Sequence, residues 1–167
     1  MNKVKKPPVR QAKYRGFTID TKKWVYGVPY FLNIEEDEPE DCVYKACIIT
    51  GADWDGTCGF MSPDNNCFIE VIPETVGQFT GNLTKAGTEI YDGDKLQQSK
   101  DCYWVVKWSD SKCGWNCYQH VFSQDEDGEY SWKKSDTYPL GHSLNGLLTY
   151  NYEVIGNIHE ESEVTNG

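Results

Sequence analysis

The sequence predicts a mainly β protein, a twisted and mostly antiparallel sheet or small barrel of complex topology with long turn-rich loops. Three observations carry this. Short runs of aromatic and β-branched residues recur along the chain, the composition that suits a pleated surface. Clusters of Gly, Pro, Asp and Asn separate them and read as turns. No stretch shows the sustained three-to-four-residue apolar spacing of a long amphipathic helix.

The elements follow in order. Residues 1–11 carry two adjacent prolines and scattered lysines and predict a basic, irregular arm. Tyr14 to Asp20 predicts a short strand and Trp24 to Leu32 a longer one, where Gly27 and Pro29 favour an edge position or a bulge. Glu35 to Asp41 is an acidic run with one proline, an exposed loop. Cys42 to Thr50 predicts a strand, Gly51 to Asn66 a long loop, and Cys67 to Ile72 another strand. Pro73 suits the first position of a helical turn over Glu74 to Gln78. Gly77, Gly81, Gly87 and Gly93 are expected to set turns around a strand that contains Ile90 and Tyr91. Cys102 to Trp108 is the strongest strand signal, and Trp115 to Phe122 and Tyr130 to Lys133 continue a meander. Residues 135–146 lack periodicity, Leu147 to Ile158 predicts a closing strand, and 161–167 an acidic tail. One domain over residues 12–160 is the expected organisation, since 167 residues suit a single core.

Charge is unevenly placed. The formal net charge is −10, yet the first 23 residues hold eight Lys/Arg against Asp20 alone, leaving eight Lys/Arg against 25 acids, net −17, in the rest. An acidic body repels nucleic-acid backbone over most of its surface and suits a basic protein partner. The arm, with Lys3, Lys5, Lys6, Arg10, Lys13 and Arg15, supplies the cations for a nucleic-acid alternative. No apolar run approaches 18 residues and no apolar segment follows the basic start. The expectation is therefore a cytoplasmic protein without membrane contact.

The residues name no chemistry. The seven cysteines form no Cys-x-x-Cys pair, and an odd count without a secretory signal predicts reduced thiols. Cys113, Cys117 and His120 lack the spacing of a zinc knuckle, so no metal or cofactor is expected. Glu74, Asp92 and Asp94 supply carboxylates, and His120, His142 and His159 imidazoles, in no ordered triad or nucleophile elbow.

Four anchors carry a resemblance. They are Tyr14-Arg15-Gly16 with Trp24-Val25-Tyr26-Gly27; Ile72-Pro73-Glu74-Thr75-Val76-Gly77-Gln78-Phe79-Thr80-Gly81; Gly87-Thr88-Glu89-Ile90-Tyr91-Asp92-Gly93-Asp94; and Val154-Ile155-Gly156-Asn157-Ile158. In this order they resemble the YopX family of phage and prophage proteins. The resemblance implies a predominantly β domain in a phage or prophage setting, in the bacterial host's cytoplasm, and supplies no catalytic residue. Trp24, Gly77, Gly81, Gly87, Gly93 and Gly156 are read as structural, and Glu74, Gln78, Tyr91 and Asp94 as a candidate interaction surface. The function expected is a non-enzymatic accessory role through a host or phage protein or a second copy of the chain, with nucleic-acid binding and an uncharacterised enzyme as alternatives.

Overall fold

The computed structural model describes residues 12–34, 43–50, 68–124, 127–135 and 141–160. The predicted arm, the acidic loop, the 51–66 loop and the C-terminal tail lie outside these residues. Two compact units are present, Met1–Gln78 and Phe79–Gly167.

In the first unit the strands are β1 (Tyr14–Phe17), β2 (Trp24–Ile34), β3 (Val43–Ile49), β4 (Phe68–Val71) and the start of β5 (Gly77–Leu83). They lie in the order β4-β3-β2-β1-β5, and neighbours are antiparallel. β2 changes partner along its length. Residues 24–27 pair with β1 and residues 28–34 with β3. The edge expected from Gly27 and Pro29 is therefore local. Gly27 sits at the crossover, and Pro29, which has no N–H to donate, faces only β3. Ala46, Ile48 and Val71 form the core of this unit, with Tyr14, Val25 and Val76 packed against it. The predicted helical turn is shorter than expected, a 3-10 turn over Pro73–Thr75. The Thr75 hydroxyl donates to the Ile72 carbonyl at 2.6 Å and accepts the Phe17 N–H at 2.8 Å, which ties the turn to the end of β1.

In the second unit the rest of β5 pairs with β6 (Glu89–Tyr91). A separate antiparallel sheet holds β7 (Asp94–Ser99), β8 (Cys102–Ser109), β9 (Gly114–Gln124), β10 (Tyr130–Lys134) and β12 (Glu153–Asn157) in the order β10-β9-β8-β7-β12. The short β11 (His142–Ser143) adds to β9. A four-residue helix, α1 (Leu144–Leu147), follows at once, and the Ser143 hydroxyl caps it by accepting the Gly146 N–H at 3.3 Å. Alternation along the strands puts Leu96, Trp104, Val106 and Cys117 on one face, where they form a core with Ile90, Leu144, Leu147 and Tyr152. Each such fully buried aliphatic side chain contributes about 1.5–3 kcal/mol.

The expected mainly β, antiparallel fold is present as two sheets; among the described residues neither closes into a barrel, so the sheet reading holds over the barrel alternative. Two expectations are corrected. Gly77 and Gly81 lie inside β5 rather than in turns; Gly81 falls where the β5–β6 register shifts. Only Glu153–Asn157 of the expected 147–158 strand is extended, because Leu144 and Leu147 enter the core from α1.

Candidate functional site

The residues singled out from sequence separate by burial. Glu74 and Gln78 are exposed, in the 3-10 turn and at the start of β5. Tyr91 and Asp94 are 2% and 0% exposed, at the end of β6 and the start of β7, so in this structure they serve the interior. Trp24 packs edge-on to Phe17 at 5.2 Å between ring centroids, with the Arg15 guanidinium 4.2 Å from its own ring. Gly87 lies in the β5–β6 turn, and Gly156 at the register shift between β12 and β7.

Asp94 organises the Tyr91-Asp92-Gly93-Asp94 turn. Its carboxylate accepts the Tyr91 N–H at 2.8 Å and the Asn157 amide at 3.2 Å. Asn157, also buried, donates to the Asp92 carbonyl at 3.0 Å and accepts the His159 N–H at 3.1 Å. Charge-assisted bonds of this kind keep a buried carboxylate solvated by protein. The Asp-Gly-Asp string and Asn157, 63 residues apart in sequence, thus make one structural clasp that hands the chain from β6 to β7.

Among the described residues the thiols and imidazoles do not assemble a nucleophile. Cys117 and His142 are directly opposed on β9 and β11. Yet Cys117 is fully buried, and burial pushes its thiol up to about 12, so the reactive thiolate is suppressed. Cys113 lies outside the strand, exposed, in the left-handed conformation that ends the Asp110–Lys112 turn. Iodoacetamide is therefore expected to modify Cys113 in the native protein and Cys117 only after unfolding. Peptide mapping by mass spectrometry reads this, and equal native labelling of the two would refute it. Among the described residues no cluster of three His, Cys, Asp or Glu side chains could hold a metal. An open cleft of 470 Å³ in the first unit is lined by Thr18, Asp20, Thr21, Val25, Phe68, Ile69 and Glu70. Its Glu70 carboxylate already faces Lys45 at 3.6 Å.

The feature that sequence reading missed is the outer face of the second sheet, opposite its core. Register places Tyr103, His120 and Lys134 in one cross-strand row, Phe122 and Trp132 in the next, and Gln124 and Tyr130 beyond. The rings touch continuously. His120 stacks on Tyr103 at 5.1 Å with planes 5° apart, and Tyr103 meets Trp132 at 4.7 Å. Trp132 meets Phe122 at 5.3 Å, and Phe122 stacks on Tyr130 at 5.6 Å. Aromatic side chains usually fill cores, yet Trp132, Phe122 and Tyr130 are 41%, 46% and 61% exposed.

Lysines lie at and beyond the Tyr103–His120 end of this row. Lys95 lies 5.9 Å from the centre of the Tyr103 ring and Lys134 lies 4.5 Å from that of Tyr118, both within reach of cation–π attraction. Lys107, on the same face of β8, approaches Asp92 at 3.9 Å. Partial burial first, then Lys134 and Lys95, push the His120 pKa down. Glu153, opposite Gln97, adds one carboxylate at the β12 edge of this face. The signal available in sequence was the alternation Tyr130-Ser131-Trp132-Lys133-Lys134 beside Tyr118-Gln119-His120-Val121-Phe122, aromatic on every second residue.

Fold and face together define a β protein with an open aromatic and basic sheet surface. The YopX family model, described as YopX protein, matches residues 13–165, and the chain belongs to that family. No curated protein matches the chain. Among the described residues, no helix is long and apolar enough to cross a membrane.

Proposed function

We propose that this chain is a non-enzymatic accessory protein of a phage or prophage, active in the bacterial cytoplasm, that binds a macromolecular partner through the outer face of the second sheet. One observation carries the reading: a contiguous row of rings, three of them 41–61% exposed, with lysines at its Tyr103–His120 end. Exposed apolar area of this kind costs solubility unless a partner covers it. Glu74 and Gln78 offer a separate exposed polar pair in the first unit.

The test compares the wild-type chain with a Tyr130→Ser, Trp132→Ser double variant as bait in extracts of prophage-bearing cells, with and without nuclease. A component held by the wild type and lost by the variant is expected. Recovery of the same components by both would overturn the reading. Both side chains are exposed, so the double variant is expected to keep the wild-type circular dichroism spectrum.

A further inference from the structure

We propose that the outer face of the second sheet binds single-stranded nucleic acid, its rings stacking with bases and Lys95, Lys107 and Lys134 contacting phosphates. This rests on the reading of that face as a binding surface and names its ligand.

The chemistry of the face selects this ligand. Base stacking needs exposed rings at intervals along a strand path; Trp132, Phe122 and Tyr130 supply three on β9 and β10, and half-buried His120 and Tyr103 continue the row onto β8. Tyr130, at the far end of the row, is the most exposed ring. The flanking cations sit on three strands: Lys95 on β7, Lys107 on β8 and Lys134 on β10. They gather at and beyond the Tyr103–His120 end of the row, where an anionic strand can enter before its bases meet the rings. Duplex nucleic acid fits poorly, because its bases are already stacked and its doubled phosphate density would meet the acidic remainder of the chain, net charge −10 overall. A basic protein partner would meet the three lysines at one end of the row but Asp127 and Glu129 in the turn beside Tyr130 at the other, and is an outcome of the test. An acidic protein partner is left to the test.

The test is fluorescence anisotropy of a labelled 20-nucleotide oligothymidylate titrated with the full chain across a series of salt concentrations. Binding that weakens with salt is expected, with a log–log slope of about −2 for three phosphate contacts on a single strand. Trp132→Ala and Tyr130→Ala should each weaken binding by about tenfold. Lys134→Gln should weaken it less and flatten the salt slope by about 0.7. A chain with Lys3, Lys5, Lys6 and Arg10 changed to Gln separates the face from the N-terminal arm. Binding that vanishes in this chain while the ring variants bind normally would overturn the proposal. So would the absence of salt-dependent binding, or light scattering that shows a dimer converted to monomer by Trp132→Ala, since the face would then cover a second copy. The two readings fail separately. If the oligonucleotide does not bind yet the extract experiment yields a nuclease-resistant protein that depends on Tyr130 and Trp132, the ligand is wrong and the binding face stands. If neither experiment depends on the face, both fall.

Discussion

Replacing Gly93 by alanine is expected to lower stability by about 2–4 kcal/mol, a loss of about 5–15 °C in Tm for a chain of this size. Two independent penalties combine. Gly93 has φ +80°, where an L side chain costs about 1–2 kcal/mol. A methyl group there would also lie 2.9 Å from Asn157 Nδ2, 3.1 Å from its Oδ1 and 3.2 Å from Ile158 Cγ1. Asn157 cannot swing aside without losing its bonds to Asp92, Asp94 and His159. The Gly93 backbone cannot retreat either. Its N–H donates to the Val106 carbonyl at 2.8 Å, and its carbonyl accepts the Ile158 N–H at 3.0 Å. Gly87→Ala is the control, because Gly87 has φ +88° but nothing within 4 Å of the added methyl. That variant should lose only the conformational share, about 1–2 kcal/mol. Equal losses in urea unfolding of the two variants would mean that the Asn157 clasp does not constrain Gly93.

The same clasp shows what the sequence could and could not convey. Asp92-Gly93-Asp94 after Ile90 and Tyr91 announced a tight turn, because positive φ is a local demand that glycine meets locally. Asp94 and Tyr91 looked like surface residues, because a carboxylate and a phenol are usually exposed and the amide that satisfies Asp94 comes from Asn157, far along the chain. The strands β3, β4, β8, β9 and β10 were legible from their β-branched and aromatic content. β5 and β7 were not. Gly77 and Gly81 disguise β5, and β7 has one apolar residue, Leu96, among Asp, Lys, Gln and Ser. β7 is held by pairing with β8 and β12 on its two sides, a tertiary cause with no local signature. The aromatic face was hidden for a related reason. Each ring alone reads as core, and only the strand register places Tyr103, His120, Phe122, Tyr130 and Trp132 on the side away from Leu96, Trp104 and Val106.

Gly27→Ala is expected to be at least as damaging, with a loss of about 3 kcal/mol or more. A methyl group on Gly27 would stand 1.9 Å from the Ile49 carbonyl oxygen and 2.8 Å from its carbonyl carbon. These are backbone atoms, so no rotamer change relieves the clash; β2 and β3 must part. Gly27 sits where β2 leaves β1, at Tyr14↔Gly27, and takes up β3, at Val28↔Ile49. β3 resists displacement because Ala46 and Ile48 are 1% and 0% exposed in the core of the first unit. The variant also asks whether the two units unfold together. Their boundary, between Gln78 and Phe79, falls inside β5 with no linker, so unfolding that strips β5 from β1 pulls on the strand that also pairs with β6. One domain over 12–160 predicts that Gly27→Ala lowers amide-exchange protection in β8 as well as in β3. Loss confined to β3, with β8 as protected as in the wild type, would divide the chain into two independent folding units. Wild-type protection in both strands would mean that the added methyl at Gly27 is accommodated without parting β2 from β3.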